Sequence, residues 1–156
     1  MMTDWAQTER CSVRITLAEG LVIRGDIHLQ PRVAWRDGPE TPLELMNRDE
    51  AFFPVTLAGG DVAFVAKAQV ASLALGVGVE EEPDPERRSA ARTISLEVMM
   101  VGGAEHRGVA VHEMPPNRSR ALDFLNEAQE RFFLLVTPGG SLCLNRQYVR
   151  AVRPLS

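Results

Sequence analysis

The strongest constraint on this chain is that it resembles itself. AEGLVIRG, Ala18 to Gly25, matches VGGAEHRG, Val101 to Gly108, so that Gly20, Arg24 and Gly25 fall on Gly103, Arg107 and Gly108 at an offset of 83. LELMN, starting at Leu43, matches LDFLN, starting at Leu122, at 79, and FFPVTLAGG, from Phe52, matches FFLLVTPGG, from Phe132, at 80. VAKAQV, Val65 to Val70, then matches LNRQYV, Leu144 to Val149, at 79. Four blocks in one order with small slips indicate a duplicated unit, the slips falling in loops or bulges.

The duplication divides the 156 residues into a first repeat at 1–75, a charged linker at 76–92 and a second repeat at 93–156. The linker, GVGVEEEPDPERRSAAR, has two prolines, five acidic and three basic residues and no apolar periodicity after Val79. A unit of about 65 residues is near the lower limit of independent stability, so the two copies are expected to pack as a pseudo-symmetric pair.

Each copy reads as short strands with one small helix. Val13, Ile15 and Leu17 alternate with polar or small neighbours, Glu19-Gly20 supplies a turn, and Leu21, Ile23, Ile27 and Leu29 continue the apolar face across Gly25. A glycine facing inward there lets the strand bend or another backbone approach. Thr41-Pro42-Leu43-Glu44 has the residues of a helix start, and a helix to Asn47 follows. A second hairpin turns at Gly59-Gly60, with Pro54 pointing to an edge or a bulge, and a last strand ends near Leu75. In the second copy the residues matching Leu21, Ile23 and Leu29 are Ala104, His106 and His112. Either the register slips at Gly108 or that face is buried differently. The expected class is mainly β: two small SH3-like or Sm-like barrels, each with a short helix, because closing a sheet removes exposed edges.

Two resemblances follow from these residues. ITLAEGLVIRGDI, Ile15 to Ile27, resembles the first half of an Sm-like motif, which implies a small barrel and, by its family, RNA binding. That family's loop asparagine comes soon after the glycine, whereas here Gly25 and Asn47 are 22 residues apart. RALDFLNEAQERFFLLV, Arg120 to Val136, with LCLNRQYVRAV, Leu142 to Val152, resembles a bacterial domain-of-unknown-function pattern of the type R-L-S-D-F-L-N, with Ala121 at the serine position. It implies a tandem version of that domain and no particular activity.

The side-chain chemistry names no catalytic residue, metal ligand or cofactor. Cys11 lies outside the repeated blocks and Cys143 alternates within an apolar run, where an inert buried thiol is the default. His106 and His112 on one strand would be roughly 20 Å apart, and Asp26 with His28 lacks a third ligand nearby in sequence. Phosphate-binding glycine motifs are absent, and the Gly-Gly pairs sit in hairpin turns. Asn47 and Asn126 recur where a helix could end in a left-handed cap. The recurring cations Arg24 with Arg107, and Lys67 with Arg146, suggest pairing with cross-strand carboxylates.

Charge argues against nucleic acid. Lys plus Arg against Asp plus Glu is 7 against 10 in residues 1–75 and 7 against 6 in residues 93–156, and the whole chain carries −4. The only contacts such a reading could use are Arg118, Arg120, Arg146, Tyr148, Arg150 and Arg153. Without a membrane-length apolar run or a signal-peptide pattern, the expected location is the cytoplasm. The expected role is a noncatalytic adaptor or regulatory subunit that binds a protein partner, with an Sm-like RNA-binding protein as the alternative and a homo-oligomer left open.

Overall fold

The computed structural model describes residues 8–76, 92–112, 121–127 and 130–155. Apart from its two end residues, the charged linker lies outside them. Among the described residues each half contributes five strands and one α-helix. The first has β1 (Glu9–Leu17), β2 (Val22–Leu29), α1 (Pro42–Asn47), β3 (Phe52–Leu57), β4 (Val62–Ala66) and β5 (Val70–Leu75). The second has β6 (Arg92–Met100), β7 (Glu105–His112), α2 (Ala121–Glu127), β8 (Phe132–Thr137), β9 (Gly140–Asn145) and β10 (Val149–Pro154).

All ten strands form one antiparallel sheet in the order β10-β6-β7-β8-β9-β5-β1-β2-β3-β4. The mainly β class is as expected, but the sheet is continuous and open where two closed barrels were expected. The physical reason is the fate of β5. It pairs with β1 on one side and with β9 of the other half on the other, so it does not close the first half on itself. Within each half the strands nevertheless run in the same spatial order: fifth, first, second, third, fourth.

The alternation read from the sequence puts one side of each half into its own core. The first core gathers Val13 and Ile15 of β1, Ile27 and Leu29 of β2, Leu45 and Met46 of α1, Phe53 and Val55 of β3, Val65 of β4 and Leu73 of β5. The second gathers Leu96, Val98, Ala110, Phe124, Phe133, Leu135, Leu142 and Leu144, with the Phe124 and Phe133 rings edge to face at 5.8 Å. Phe132 and Cys143 cross into the first core and Ala71 into the second. Cys11, which the sequence placed outside the repeat, belongs to the first core, and both cysteines are buried.

Gly25 and Gly108 show why the second strand of each half needs glycine. A Cβ on Gly25 would lie 2.6 Å from the Thr56 carbonyl oxygen, and one on Gly108 would lie 2.4 Å from that of Val136. Both distances are inside van der Waals contact, so only glycine lets the third strand cross so closely. The turn residues match as well: Gly20 and Gly103, and Gly60 and Gly140, all have positive φ.

Three sequence expectations are corrected or resolved here. The β6–β7 register runs unbroken from Arg92↔His112 to Met99↔Glu105, so there is no slip at Gly108. Ala110 is instead the inward residue, fully buried, and Val111 is turned toward solvent. Leu21 falls in the turn, 56% exposed, and does not join the apolar face of β2. Pro54 lies in β3, which is not a sheet-edge strand. However, β2 pairs only with Val55 to Leu57, so at Pro54 the strand is locally an edge.

The helix start behaves as read. Thr41 Oγ1 accepts from the Glu44 N–H at 3.2 Å, and Glu44 Oε1 accepts from the Thr41 N–H at 2.9 Å, which forms a complete capping box. Trp35 Nε1 also donates to Glu44, at 2.6 Å, and Arg36 forms a two-pronged ion pair with it. Burial opposes ionisation of this carboxyl, but the Arg36, Thr41 and Trp35 donors prevail and hold its pKa at about 2.

Candidate functional site

Two strands hold the same place in their halves and meet different surroundings. β9 is the fourth strand of the second half and β4 the fourth of the first. β9 is covered by β5, with Leu73 opposite Cys143 and Ser72 opposite Leu144. Cys143 is fully buried there, small enough to sit against the first core.

Polar clamps hold this junction. Asn47 at the end of α1 reaches the backbone of Phe132 in β8, its Oδ1 accepting from N–H at 2.9 Å and its Nδ2 donating to C=O at 3.1 Å. A side-chain amide thus pairs with a strand residue much as a neighbouring strand would. Asn145 Nδ2 donates to the Val70 carbonyl at 2.9 Å in a buried site, and Tyr148 Oη donates to the Ala68 carbonyl at 2.5 Å. The expectation of left-handed asparagine caps is therefore corrected: among the described residues only glycines have positive φ, and Asn47 bridges the halves. Its sequence counterpart Asn126 is exposed.

The recurring cations also have a role other than the one expected. Lys67 is fully buried, and its Nζ donates to the carbonyls of Leu45, at 2.7 Å, and Arg48, at 3.1 Å, at the end of α1. Arg146 donates in the same way to the Leu125 carbonyl of α2. Each satisfies helix C-terminal carbonyls and complements the helix dipole. Burial pulls the Lys67 ammonium below the usual lysine range. Arg107 does meet a cross-strand carboxylate, Glu97, at 2.5 Å. Arg24 lies opposite Arg14 in the β1–β2 register.

The β4 edge is different in composition and surroundings. Among the described residues β4 pairs with β3 alone. Its sequence VAFVA carries no charge, and its outward face continues that of β3, since Phe52 lies opposite Ala66 and Pro54 opposite Phe64. Phe52 is 59%, Phe64 66% and Val62 37% exposed. By strand position Phe64 replaces Cys143 and Ala66 replaces Asn145. The opposite free edge, β10, carries exposed Arg150, Arg153 and Pro154, the charged and N–H-less residues with which sheet edges resist pairing.

Of the six residues of the nucleic-acid reading, four lie among the described residues, and each has its own surroundings. Arg118 and Arg120 lie outside the described residues. Arg146 caps α2 and lines a polar cleft of about 480 Å³ between the halves with Asn47, Arg48, Arg131 and Asn145. Tyr148 is tied to Ala68. Arg150 is exposed on β10, and Arg153 shares Glu97 with Arg107, at 3.1 Å from that carboxylate. These two arginines hold the Glu97 carboxyl below its usual range.

His28, Asp26 and Glu40 are also held by neighbours. His28 shares hydrogen bonds with Thr56 Oγ1 at 2.7 Å and Thr8 Oγ1 at 3.1 Å, while Asp26 accepts from Ser12 at 2.9 Å and faces Arg10 at 3.5 Å. Burial lowers the pKa of His28. The buried Glu40 carboxylate accepts from the Gln30 N–H and faces Arg48 at 3.2 Å, and burial raises its pKa. Among the described residues no group of three or more His, Cys, Asp or Glu side chains could hold a metal ion, and no helix is long and apolar enough to cross a membrane.

Lys67 and Asn145 are the structural residues that the sequence reading did not assign to their tasks. Lys67 had a signal, as the single lysine of the chain inside an apolar run. Compared with protein-family models, curated proteins and solved structures, the chain matches none.

Proposed function

We propose that this chain is a noncatalytic interaction module, an adaptor or regulatory subunit, made of two small SH3-like or Sm-like repeats and docking a protein partner. The repeat reading is supported by the shared strand order, the paired inward glycines Gly25 and Gly108, and the equivalent helix-capping cations Lys67 and Arg146. The partner reading rests on one observation: the β3–β4 edge exposes Phe52, Phe64 and Val62 on an uncharged strand, while the β10 edge is guarded by arginines and proline.

A photo-crosslinking residue placed at position 64, and separately at position 150, tests this in the cells that make the protein. The expected result is a discrete protein adduct from 64 and none from 150. Recovery of RNA from 150 and no protein from 64 would overturn the reading and favour the Sm-like alternative.

A further inference from the structure

We propose that a pocket between the two halves binds a small organic anion, a carboxylate or phosphate head carried on a compact apolar body. The head rests on Arg14 and Arg24, and the body enters the pocket beside them. The site does not rest on the protein-partner reading.

The first argument compares the two halves at one place. Their first two strands form matching hairpins, with Val13 opposite Gly25 in one and Leu96 opposite Gly108 in the other. At the next position along, the first half sets Arg14 opposite Arg24, and the second sets Glu97 opposite Arg107. Arg107 is answered by that carboxylate at 2.5 Å, whereas its counterpart Arg24 meets another cation. Like charges directly opposite one another weaken a strand pair. Arg14 and Arg24 are both exposed, and among the described residues no carboxylate forms an ion pair with either. Asp26, two residues from Arg24, is engaged by Ser12 at 2.9 Å and Arg10 at 3.5 Å. The first half therefore holds two guanidiniums where the second holds a guanidinium and its anion.

The second argument is the pocket, of about 280 Å³. The first half lines it with Thr16, Leu17 and Ala71, among others, and the second with Met100, Val101 and His106. Thr16 is two residues from Arg14 on the same face of β1, which places the pocket roughly 7 Å along the strand from the arginine pair. His106 forms part of the wall, and the pocket reaches down to Ala71 and Met100, both buried. Burial and then the charge of Arg14 pull the His106 pKa below its ordinary value, so Arg14 acts on that wall.

The third argument fixes the class of ligand. A cavity of about 150 Å³ is enough for benzene, so this one takes an apolar body of roughly ten non-hydrogen atoms. Thr16, Ser72, Glu19 and His106 are the only lining side chains with polar groups. Glu19 belongs to the turn at the far end of β1 from Arg14, and it directs an anionic head toward the arginines. Guanidinium groups bind carboxylate and phosphate oxygens through parallel charge-assisted hydrogen bonds. A bare inorganic anion would leave the pocket unused, and a neutral apolar molecule would leave both cations unanswered.

The test is an NMR titration of the full chain with four probes: octanoate, phenyl phosphate, acetate and 1-octanol. Octanoate or phenyl phosphate should bind saturably, moving the His106 ring and Met100 methyl resonances and leaving the His28 ring unmoved. The tighter of the two identifies the head. Acetate, which lacks the body, and 1-octanol, which lacks the charge, should each bind at least tenfold more weakly. Arg14→Glu copies the Glu97–Arg107 pair into the first half. It should raise the melting temperature of the ligand-free chain and weaken binding of the anion at least tenfold. The four-probe comparison uses the unaltered protein, so it decides the matter if that variant fails to fold. No saturable binding of either anion would overturn the proposal, as would 1-octanol binding as tightly as octanoate. So would binding that leaves His106 and Met100 unmoved, or a folded Arg14→Glu chain that binds the anion as well as the original.

Discussion

β9 and β4 hold the same place in the strand order of their halves, and their difference shows what turns a sheet edge into a junction. β9 has small Cys143 where β4 has Phe64, and Asn145 where β4 has Ala66. The first exchange lets another half's core approach, and the second supplies a buried donor for the incoming strand's free carbonyl. Strand pairing alone leaves orphan groups at the ends of the ladder, and a junction lasts when side chains satisfy them. β4 has neither adaptation, and among the described residues it pairs with β3 alone. β5 on β9 is part of the fold.

Making β9 resemble β4 should break the junction, and Cys143→Phe is the most severe test. The site is fully buried, so the larger ring overpacks it, with an expected loss of about 3 kcal/mol or more. Urea unfolding followed by fluorescence would show the two halves melting in separate steps. A single unchanged transition would mean the β5–β9 contact is not what couples them.

The polar clamps come next. Asn145→Ala leaves the buried Val70 carbonyl without its partner and should cost about 2 kcal/mol. Asn47→Ala removes both amide contacts to Phe132 at a half-exposed site and should cost about 1 kcal/mol. A double-mutant cycle in urea measures whether the two act as one clamp. Exact additivity would place them in independent contacts.

A third test concerns the first half alone. Glu44 is held at about 2 against an ordinary value of 4.5. A depressed carboxyl pKa contributes stability that is fully present above about pH 4.5 and is lost as the pH falls toward 2. Its side chain is 22% exposed, so after allowance for solvent screening the expected contribution is about 1–2 kcal/mol. Glu44→Gln should flatten the stability profile across that window in denaturant titrations. An unchanged slope would remove the capping box from the account of acid unfolding.

The smallest effect is expected where β4 is left alone. Phe64→Ser, at a position 66% exposed, should change folding stability by less than about 0.5 kcal/mol. Thermal melts check this. A loss of 2 kcal/mol would show that Phe64 packs inside the fold and is not a docking residue.

Much of the molecule was legible as pattern. The glycines at 25 and 108, the capping box at Thr41 and Glu44, and the two hairpin turns all depend on local backbone geometry, which a few neighbouring residues specify. The β4 edge was not legible as a site. VAFVA in β4 and SLCLN in β9 read alike as short apolar strands, since alternation reports which face is apolar and says nothing about who sits alongside. The asparagines were misread for a similar reason. A helix-ending Asn suggests a local cap, and the Phe132 backbone that Asn47 holds is 85 positions away in the chain.

The sequence by itself determined the mainly β class and the inward faces of most strands, because periodicity and glycine requirements are short-range. Tertiary structure decided that β5, still paired with β1, also joins β9, that Lys67 is buried on helix carbonyls, and that β4 pairs with β3 alone among the described residues. Each of these is a choice between partners that the local chain satisfies equally well. Burial and the need to satisfy every buried polar group, acting over the whole molecule, settle which partner is taken.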